Sequence, residues 1–348
     1  MISQVEYIWL DGKIPTQEMR CKTRVVYLNP NKKINISSFP EWGFDGSSTY
    51  QADGTSSDLI LKPVNFIKDS IRGNDNFLVL NEVFNADGSP HKTNSRFKLR
   101  QEMKTGGYSL DAWMGFEQEY TLFKGSKPCG WPENGFPNPQ GPYYCGVGAN
   151  KTSGRKIIEE HTKACIDSNI MIFGCNAEVM LGQWEFQIGY RANDNENVDP
   201  INVSDHLWFA RWLLFRIAEK YDLIVSLDNK PVAGDWNGAG NHTNFSTKNT
   251  RDKNKGWDSI QKLISALSKR HSEHISVYGS GLNKRLTGLH ETCDISTFKS
   301  GERDRGASIR IPDLVSKKRY GYIEDRRPGA NCDPYAVATE LVKTANLI

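Results

Sequence analysis

Hydrophobic and polar positions alternate with a period of two along WMGFEQEYTLF, residues 113–123, and the alternation predicts a strand. Met114, Phe116, Gln118, Tyr120 and Leu122 share one face, while Trp113, Gly115, Glu117, Glu119 and Thr121 share the other. The second face carries two carboxylates two residues apart, which repel each other and are costly to bury without a cation. An edge strand with a solvated acidic face answers this pattern, and so does a cation site.

Upstream, from Val5 to about Leu80, short strand-like runs (VEYIWL, TRVVYL, NFLVL) alternate with turn-rich pieces, which predicts a small strand-dominated domain. Within it residues 45–58 are rich in Gly, Ser, Thr and Asp and read as a loop. Asp45, before Gly46 and two serines, fits an Asx-turn as readily as a functional carboxylate. NADGSPHKTNSR, residues 85–96, has turn chemistry without periodicity and sets the expected boundary, giving domains at 1–95 and 96–348.

Beyond the boundary, helical spacing predicts helices near 97–104, over 155–167 and over 207–221. The aromatic- and Pro-rich stretch GWPENGFPNPQGPYYCGVGANKTSG reads as a long ordered loop. Its GVGANKTSG end lacks the Gly-Lys-Ser/Thr order of a phosphate loop. Residues 176–188 read as strand, turn, strand, with Gln183, Glu185 and Gln187 on one face of the second arm. Several strands thus carry polar faces, which a curved sheet with a polar lumen and helices outside would accommodate, an α+β arrangement.

Charge and composition narrow the function. Forty-four basic and 41 acidic residues leave a formal charge of +3, so nothing argues for nucleic acid or a membrane surface as partner. No run approaches the apolar length of a membrane span, and MISQVEYIWLDG lacks a basic segment followed by a long apolar one, so a cytoplasmic location is expected. The seven cysteines are scattered, contain no CxxC pair, and are expected to be reduced.

Glu178, Glu185 and Glu324 add acids to Glu117 and Glu119, and His242 in NGAGNHTNFS adds a nitrogen. This hard, oxygen-rich set suits Mg²⁺ or Mn²⁺ better than structural Zn²⁺, and so many acids point to more than one ion. Between Arg285 and Arg327 lie seven arginines that include Arg305, Arg310 and Arg326. Guanidinium forks beside divalent ions indicate phosphoryl transfer, although each arginine taken singly also fits a solvated surface. His271 and His274 lack a third ligand and read as packed or exposed helix histidines, and HETCD at 290–294 fails as a zinc-protease motif. Glu291 sits in a loop-like stretch and reads as a mobile acid.

From Tyr7 to the last helix the chain resembles type II glutamine synthetase, the form usual in eukaryotes. The matching segments are WGFDGSST, GFEQEYTL, GWPENGFPNPQGPYYCGVGA, GCNAEVMLGQWEFQIG, GDWNGAGNHTNFSTK, RLTGLHET, RGASIRIP and EDRRPGANCDPY. The resemblance implies a β-grasp-like N-terminal domain and a catalytic domain whose curved antiparallel sheet, surrounded by helices, forms a bifunnel. It implies two to three divalent ions per site: one at Glu119, Glu178 and Glu185, a second at Glu117, His242 and Glu324, a third shared by Glu117, Glu185 and Glu291. It places Asn237, Gly238 and Arg285 on glutamate, Arg305, Arg310 and Arg326 on phosphates, and gives Trp113 a place beside the adenine of ATP. Asp45 would bind ammonium and take its proton, and Glu291 would close over the site. The resemblance further implies a homo-oligomer of pentameric rings stacked as a decamer, with each active site between neighbouring subunits.

The reaction it implies is ATP-dependent ligation of ammonia to L-glutamate through γ-glutamyl phosphate. A γ-glutamyl-amine ligase of the same fold and a catalytically silent homologue are the alternatives. Leu181 and Tyr190 stand where the family pattern has prolines, RANDNENVDPINV is longer than the usual connector, and Asn241 is larger than the usual residue.

Overall fold

In the computed structural model, which describes residues 1–348, the first sheet comprises β1 (Ile2–Leu10), β2 (Met19–Tyr27), β3 (Trp42–Asp45), β4 (Asp58–Lys68) and β5 (Phe77–Phe84) in the order β2-β1-β5-β4-β3. Only the β1–β5 pair is parallel. Strand alternation gives this sheet two apolar faces: Tyr7, Trp9 and Val79 join a small core of their own, while Ile8, Leu78 and Leu80 enter the larger core behind them. Strand β4 is an addition to the strands expected from sequence. It contains Pro63, which lacks an amide hydrogen, and the ladder accommodates it with a bulge between Pro63 and Asn65.

Asn94 accepts the Phe97 amide and caps α1 (Ser95–Thr105), so the chain turns from sheet to helix at the predicted boundary segment. A second, nine-stranded sheet follows. Its strands are β6 (Trp113–Lys124), β7 (Lys127–Pro128), β8 (Ile172–Ala177), β9 (Gln183–Ile188), β10 (Ile224–Ser226), β11 (Asn241–Ser246), β12 (Ser300–Glu302), β13 (Ile309–Ile311) and β14 (Ile323–Asp325). The order is β12-β13-β14-β11-β6-β9-β8, with β7 and β10 pairing the far end of β6, and the acidic stretch is therefore the central strand rather than an edge.

The helices are α2 (Arg155–Asp167), α3 (Pro200–Glu219), α4 (Gly256–Lys269), α5 (His271–Val277), α6 (Leu282–Arg285), α7 (Asp313–Lys318) and α8 (Pro334–Ala345). Met114, Phe116, Tyr120 and Leu122 of β6 share one core with Leu207, Phe209 and Leu213 of α3. The fold is α+β, a curled sheet with helices outside and a small β-grasp-like sheet at the N-terminus. No helix is long and apolar enough to cross a membrane.

Two boundaries differ from the sequence reading. Helix α3 starts at Pro200, seven residues before the expected Leu207, capped by Asp199 with proline in its first turn. Its first two turns hide their period because Ser204 and Asp205 are polar yet fully buried. The first arm of the 176–188 pair lies at 172–177, so Glu178 stands in the turn after β8 rather than in a strand. His274 is buried between the Tyr278 hydroxyl and Thr344, and His271 bonds the Ile295 carbonyl, so both are packed histidines.

Candidate active site

Cross-strand register brings the acids together. Glu119 of β6 lies directly opposite Glu185 of β9, and Glu178 reaches in from the turn after β8. One ligand atom from each of these three buried residues lies within 4.8 Å of the others. Burial, followed by repulsion among the acids, pushes Glu178 up to about 8 and Glu185 up to about 9. Burial likewise raises Glu119, against the pull of the Arg285 charge and the Gly240 amide. Three acids made reluctant to ionise in a shared space are what a bound divalent cation would relieve.

On the other side of β6, Glu117 pairs directly with His242 of β11, and Glu324 comes from β14, which pairs with β11 in turn. These three also offer ligand atoms within 4.8 Å of one another. His242 Nδ1 stands 3.6 Å from Glu117 and 3.7 Å from Glu324. Burial, with the Arg326 charge, holds the imidazole well below its ordinary value, so it is neutral and able to ligate. Two carboxylates with one imidazole, and three carboxylates beside them, form donor sets that fit hard divalent ions.

Arginines close the space. Arg326 donates to Glu324 at 2.5 Å and to the Arg305 carbonyl at 2.9 Å, and Arg310 donates to the second Glu324 oxygen. Arg285 is buried, donates to the Arg326 carbonyl and meets His242 Nε2 at 3.1 Å, an approach that a side chain at Gly240 would block. Burial brings its guanidinium down to about 10, which leaves it charged near neutrality.

Glu117, Glu119, Glu178, Glu185, Asn237, Gly238, His242, Arg285, Glu291, Arg305, Arg310 and Arg326 all line one cavity of ≈ 680 Å³. Glu324 lies behind its wall, held by Arg310 and Arg326. Glu291 belongs to neither acid group: its side chain is 57% exposed and its carboxylate stands 4.0 Å from Arg326. Two candidates lie elsewhere. Asp45 ends β3 and caps a short 3₁₀ turn, accepting from the Ser47 amide and from the Ser47 and Ser48 hydroxyls at 2.9, 2.6 and 2.7 Å. These bonds, the Ser47 hydroxyl foremost, bring it down to about 2. Trp113 lines a separate cavity of ≈ 380 Å³, between Tyr190, 5.0 Å from its ring centre, and the Arg251 guanidinium at 4.2 Å.

The cavity also uses residues that sequence reasoning passed over. Gln187 bonds Asn176 at 2.9 Å and also meets Glu185, and Asn176 donates to Glu178 at 2.9 Å, a bracket for the three-acid group. The signal for Gln187 was its place on the Glu185 face. Tyr144 and His290 line the cavity too, and Gln140 bonds His290; they lie in family-matching segments, but no periodicity marks them, since only the folded loops bring them together.

Two cation-fitting groups that meet at one central strand, facing a row of arginines, define a metal-dependent enzyme of anionic substrates. The comparisons with known proteins make the class specific. Residues 1–86 match the family model "Glutamine synthetase, beta-Grasp domain" and residues 94–345 match "Glutamine synthetase, catalytic domain". The chain is 50% identical over 346 residues to the glutamine synthetase of Streptomyces viridochromogenes, covering 99% of this chain and 97% of that one. It is 49% identical over 349 residues to the enzyme of Rattus norvegicus, covering 99% and 90%. A cryo-EM structure of Plasmodium falciparum glutamine synthetase superposes with a TM-score of 0.76 over 98% of this chain and 71% of that one; at 16% identity this likeness speaks for the fold. The chain belongs to the glutamine synthetase family, and its activity is that of a glutamate–ammonia ligase.

Proposed function

We propose that the protein makes L-glutamine from L-glutamate, ammonia and ATP through γ-glutamyl phosphate, with Mg²⁺ or Mn²⁺ in the two acid groups. The observation that carries this reading is the division of Glu117 and Glu119, two residues apart on β6, between two adjacent donor sets. When bound there, divalent ions would supply positive charge to the phosphoryl group as the γ-carboxylate oxygen attacks phosphorus and the bond to ADP breaks. Glu119, Glu178 and Glu185 would hold one ion, and Glu117, His242 and Glu324 another. A third, shared by Glu117, Glu185 and Glu291, requires Glu291 to move inward from its exposed position.

Arg305, Arg310 and Arg326 bind the phosphates, and Arg285 with Asn237 and Gly238 binds glutamate. Arg285 is charged and buried, which suits a carboxylate partner. For Arg310 and Arg326 to reach a phosphate, their present bonds to Glu324 must loosen, a switch that cation binding at Glu324 favours. Trp113 takes the adenine by stacking.

Asp45, supplied by the neighbouring subunit of a pentameric ring, attracts ammonium. Its ionised carboxylate suits that task, whereas its three hydrogen bonds make it a weak base, so removing the ammonium proton requires Ser47 and Ser48 to release it. Ammonia then displaces phosphate from the acyl carbon while Glu291 keeps water away. The proposed setting is the cytoplasm, in nitrogen assimilation, and the proposed assembly is a decamer of two rings.

The test is phosphate release from ATP with Mg²⁺ and glutamate, in the presence of ammonium or of a panel of amines. Turnover with ammonium and formation of glutamine are expected. A strict requirement for a bulky amine would replace this reading with a γ-glutamyl-amine ligase, and no turnover with any amine would leave a silent homologue.

A further inference from the structure

Within the loop from Thr287 to Thr292, His290 and Glu291 are both left-handed, with φ of 51° and 58°. Residues other than glycine rarely adopt this conformation, and two in succession persist only where the surroundings hold them. Glu291 makes no side-chain hydrogen bond; Arg326 donates to its carbonyl at 3.4 Å and the Thr292 hydroxyl closes the loop on the Leu289 carbonyl at 2.7 Å, while the tie to the rest of the cavity rim comes from His290. His290 Nδ1 lies 2.9 Å from Gln140 Nε2, and His290 Nε2 lies 3.2 Å from an Asp235 carboxylate oxygen. Gln140 Nε2 also donates to Asn237 Oδ1 at 2.9 Å. The set is satisfied when Nδ1 accepts from Gln140 and Nε2–H donates to Asp235. One imidazole therefore ties the Glu291 loop to the 131–141 loop and to the segment bearing Asn237, while only 15% of its side chain is exposed.

We propose that His290, gripped between Gln140 and Asp235, is the positioning residue that anchors the Glu291 loop at the cavity rim, from which the Glu291 side chain turns inward, and that this anchor decides how much acyl phosphate is lost to water. The inference rests on the reading that Glu291 shields the site. Water attacking the acyl phosphate returns glutamate and phosphate, so each loss consumes one ATP without glutamine. A slack loop admits that water and leaves the binding of ATP, made elsewhere in the cavity, unchanged.

The experiment measures ADP and glutamine in parallel for the purified full chain with saturating ATP, Mg²⁺ and glutamate and limiting ammonium. His290→Ala is expected to lower kcat for synthesis roughly tenfold, the scale of one or two lost hydrogen bonds, and to lower glutamine formed per ADP, with the KM for ATP unmoved. Gln140→Ala, on an exposed loop, moves the ratio the same way and serves if the first variant fails to fold. The double variant loses less than the two single losses added together, because both remove the His290–Gln140 contact, although Gln140→Ala also frees Asn237 and His290→Ala also frees Asp235. His290→Asn, which retains an acceptor toward Gln140, recovers part of the ratio. An unchanged glutamine-to-ADP ratio in His290→Ala, or additive losses in the double variant, overturns the proposal. Glu291→Ala separates the two claims: uncoupling there with none in His290→Ala sinks the latch alone, and no uncoupling in either sinks the latch together with the role given to Glu291.

Discussion

Arg211 of α3 donates through Nε, at 2.8 Å, to the amide oxygen of Gln118, on the face of β6 that points away from the acids. Both side chains are fully buried, and Arg211 also donates to the Cys332 and Ala330 carbonyls at 2.9 and 3.1 Å. The central strand is thus pinned from behind by a cation while its front face gathers carboxylates. Replacing Arg211 with Leu leaves the Gln118 oxygen and the Cys332 carbonyl without donors in a buried core, while Ala330 keeps the Gln118 amide, at a cost of about 3 kcal/mol. Urea denaturation is expected to show that loss, and the double variant Gln118→Leu/Arg211→Leu is expected to lose less than the two single losses added together. A fully additive pair would mean that the contact does not couple strand to helix.

The three-acid group makes stability depend on pH and metal in opposite senses. Glu178 and Glu185, ordinarily near 4.5, are pushed up to about 8 and about 9. The metal-free folded chain therefore binds more protons than the unfolded chain until those values are passed. Its stability from this source is complete below the ordinary value of 4.5, falls as pH rises from there by up to about 1.4 kcal/mol per pH unit per group, and stops falling once about 8 and about 9 are passed. A bound divalent ion needs the ionised acids, so its stabilisation grows over the same range. Thermal midpoints measured in chelator from about pH 7.5 to about pH 9, above the ordinary histidine range, should fall, and Glu185→Gln should flatten the fall. With Mg²⁺ or Mn²⁺ the wild-type trend should weaken or reverse. A chelated wild type with the same slope as Glu185→Gln would rule out this account.

What the sequence reveals about the site depends on how locally the chemistry is written. Glu117 and Glu119 are legible because strand alternation isolates them on one face, and Glu185 with Gln187 is legible for the same reason. Buried polar residues are where reading fails. Ser204 and Asp205 interrupt the hydrophobic period of α3 although both are buried, so two turns of helix go unseen. Gln118 sits on an otherwise apolar face, and its partner lies 93 residues away. Gln140 and His290, separated by 150 residues, meet only because two irregular loops converge, and no periodicity records that.

Asp205 is also half of a joint between the sheets. Arg96 of α1 donates to Asp205 at 2.8 Å and to Glu82 of β5 at 2.9 Å, while Arg100 holds the other Glu82 oxygen at 2.8 Å. Both carboxylates are 1% exposed, and losing Arg96 leaves Asp205 with no cation, only the Asn65 and Tyr335 donors, and Glu82 with Arg100 alone. Arg96→Ala is expected to destabilise the chain by about 3 kcal/mol, with the opening concentrated at β5. Hydrogen exchange should show faster exchange at 77–84 than across β6. Equal acceleration in both strands would show that the joint does not separate two cooperative units.

The placement of Asp45 outside the cavity yields the sharpest test of assembly. Its carboxylate is fully committed to the turn it caps, and the acids of the cavity lie on the other sheet. If a neighbouring subunit supplies it, Asp45→Ala and Glu119→Gln damage opposite sides of a shared site. Each variant alone should be nearly inactive in glutamine formation. Dissociated and reassembled together in equal amounts, they should form sites that take Asp45 from one subunit and Glu119 from the other. In a closed ring with head-to-tail contacts about a quarter of the sites would be intact, and that share of wild-type activity should return. If each chain instead folds its own Asp45 into its own site, no mixed site is intact and mixing restores nothing. The mixing experiment reads the origin of Asp45 directly.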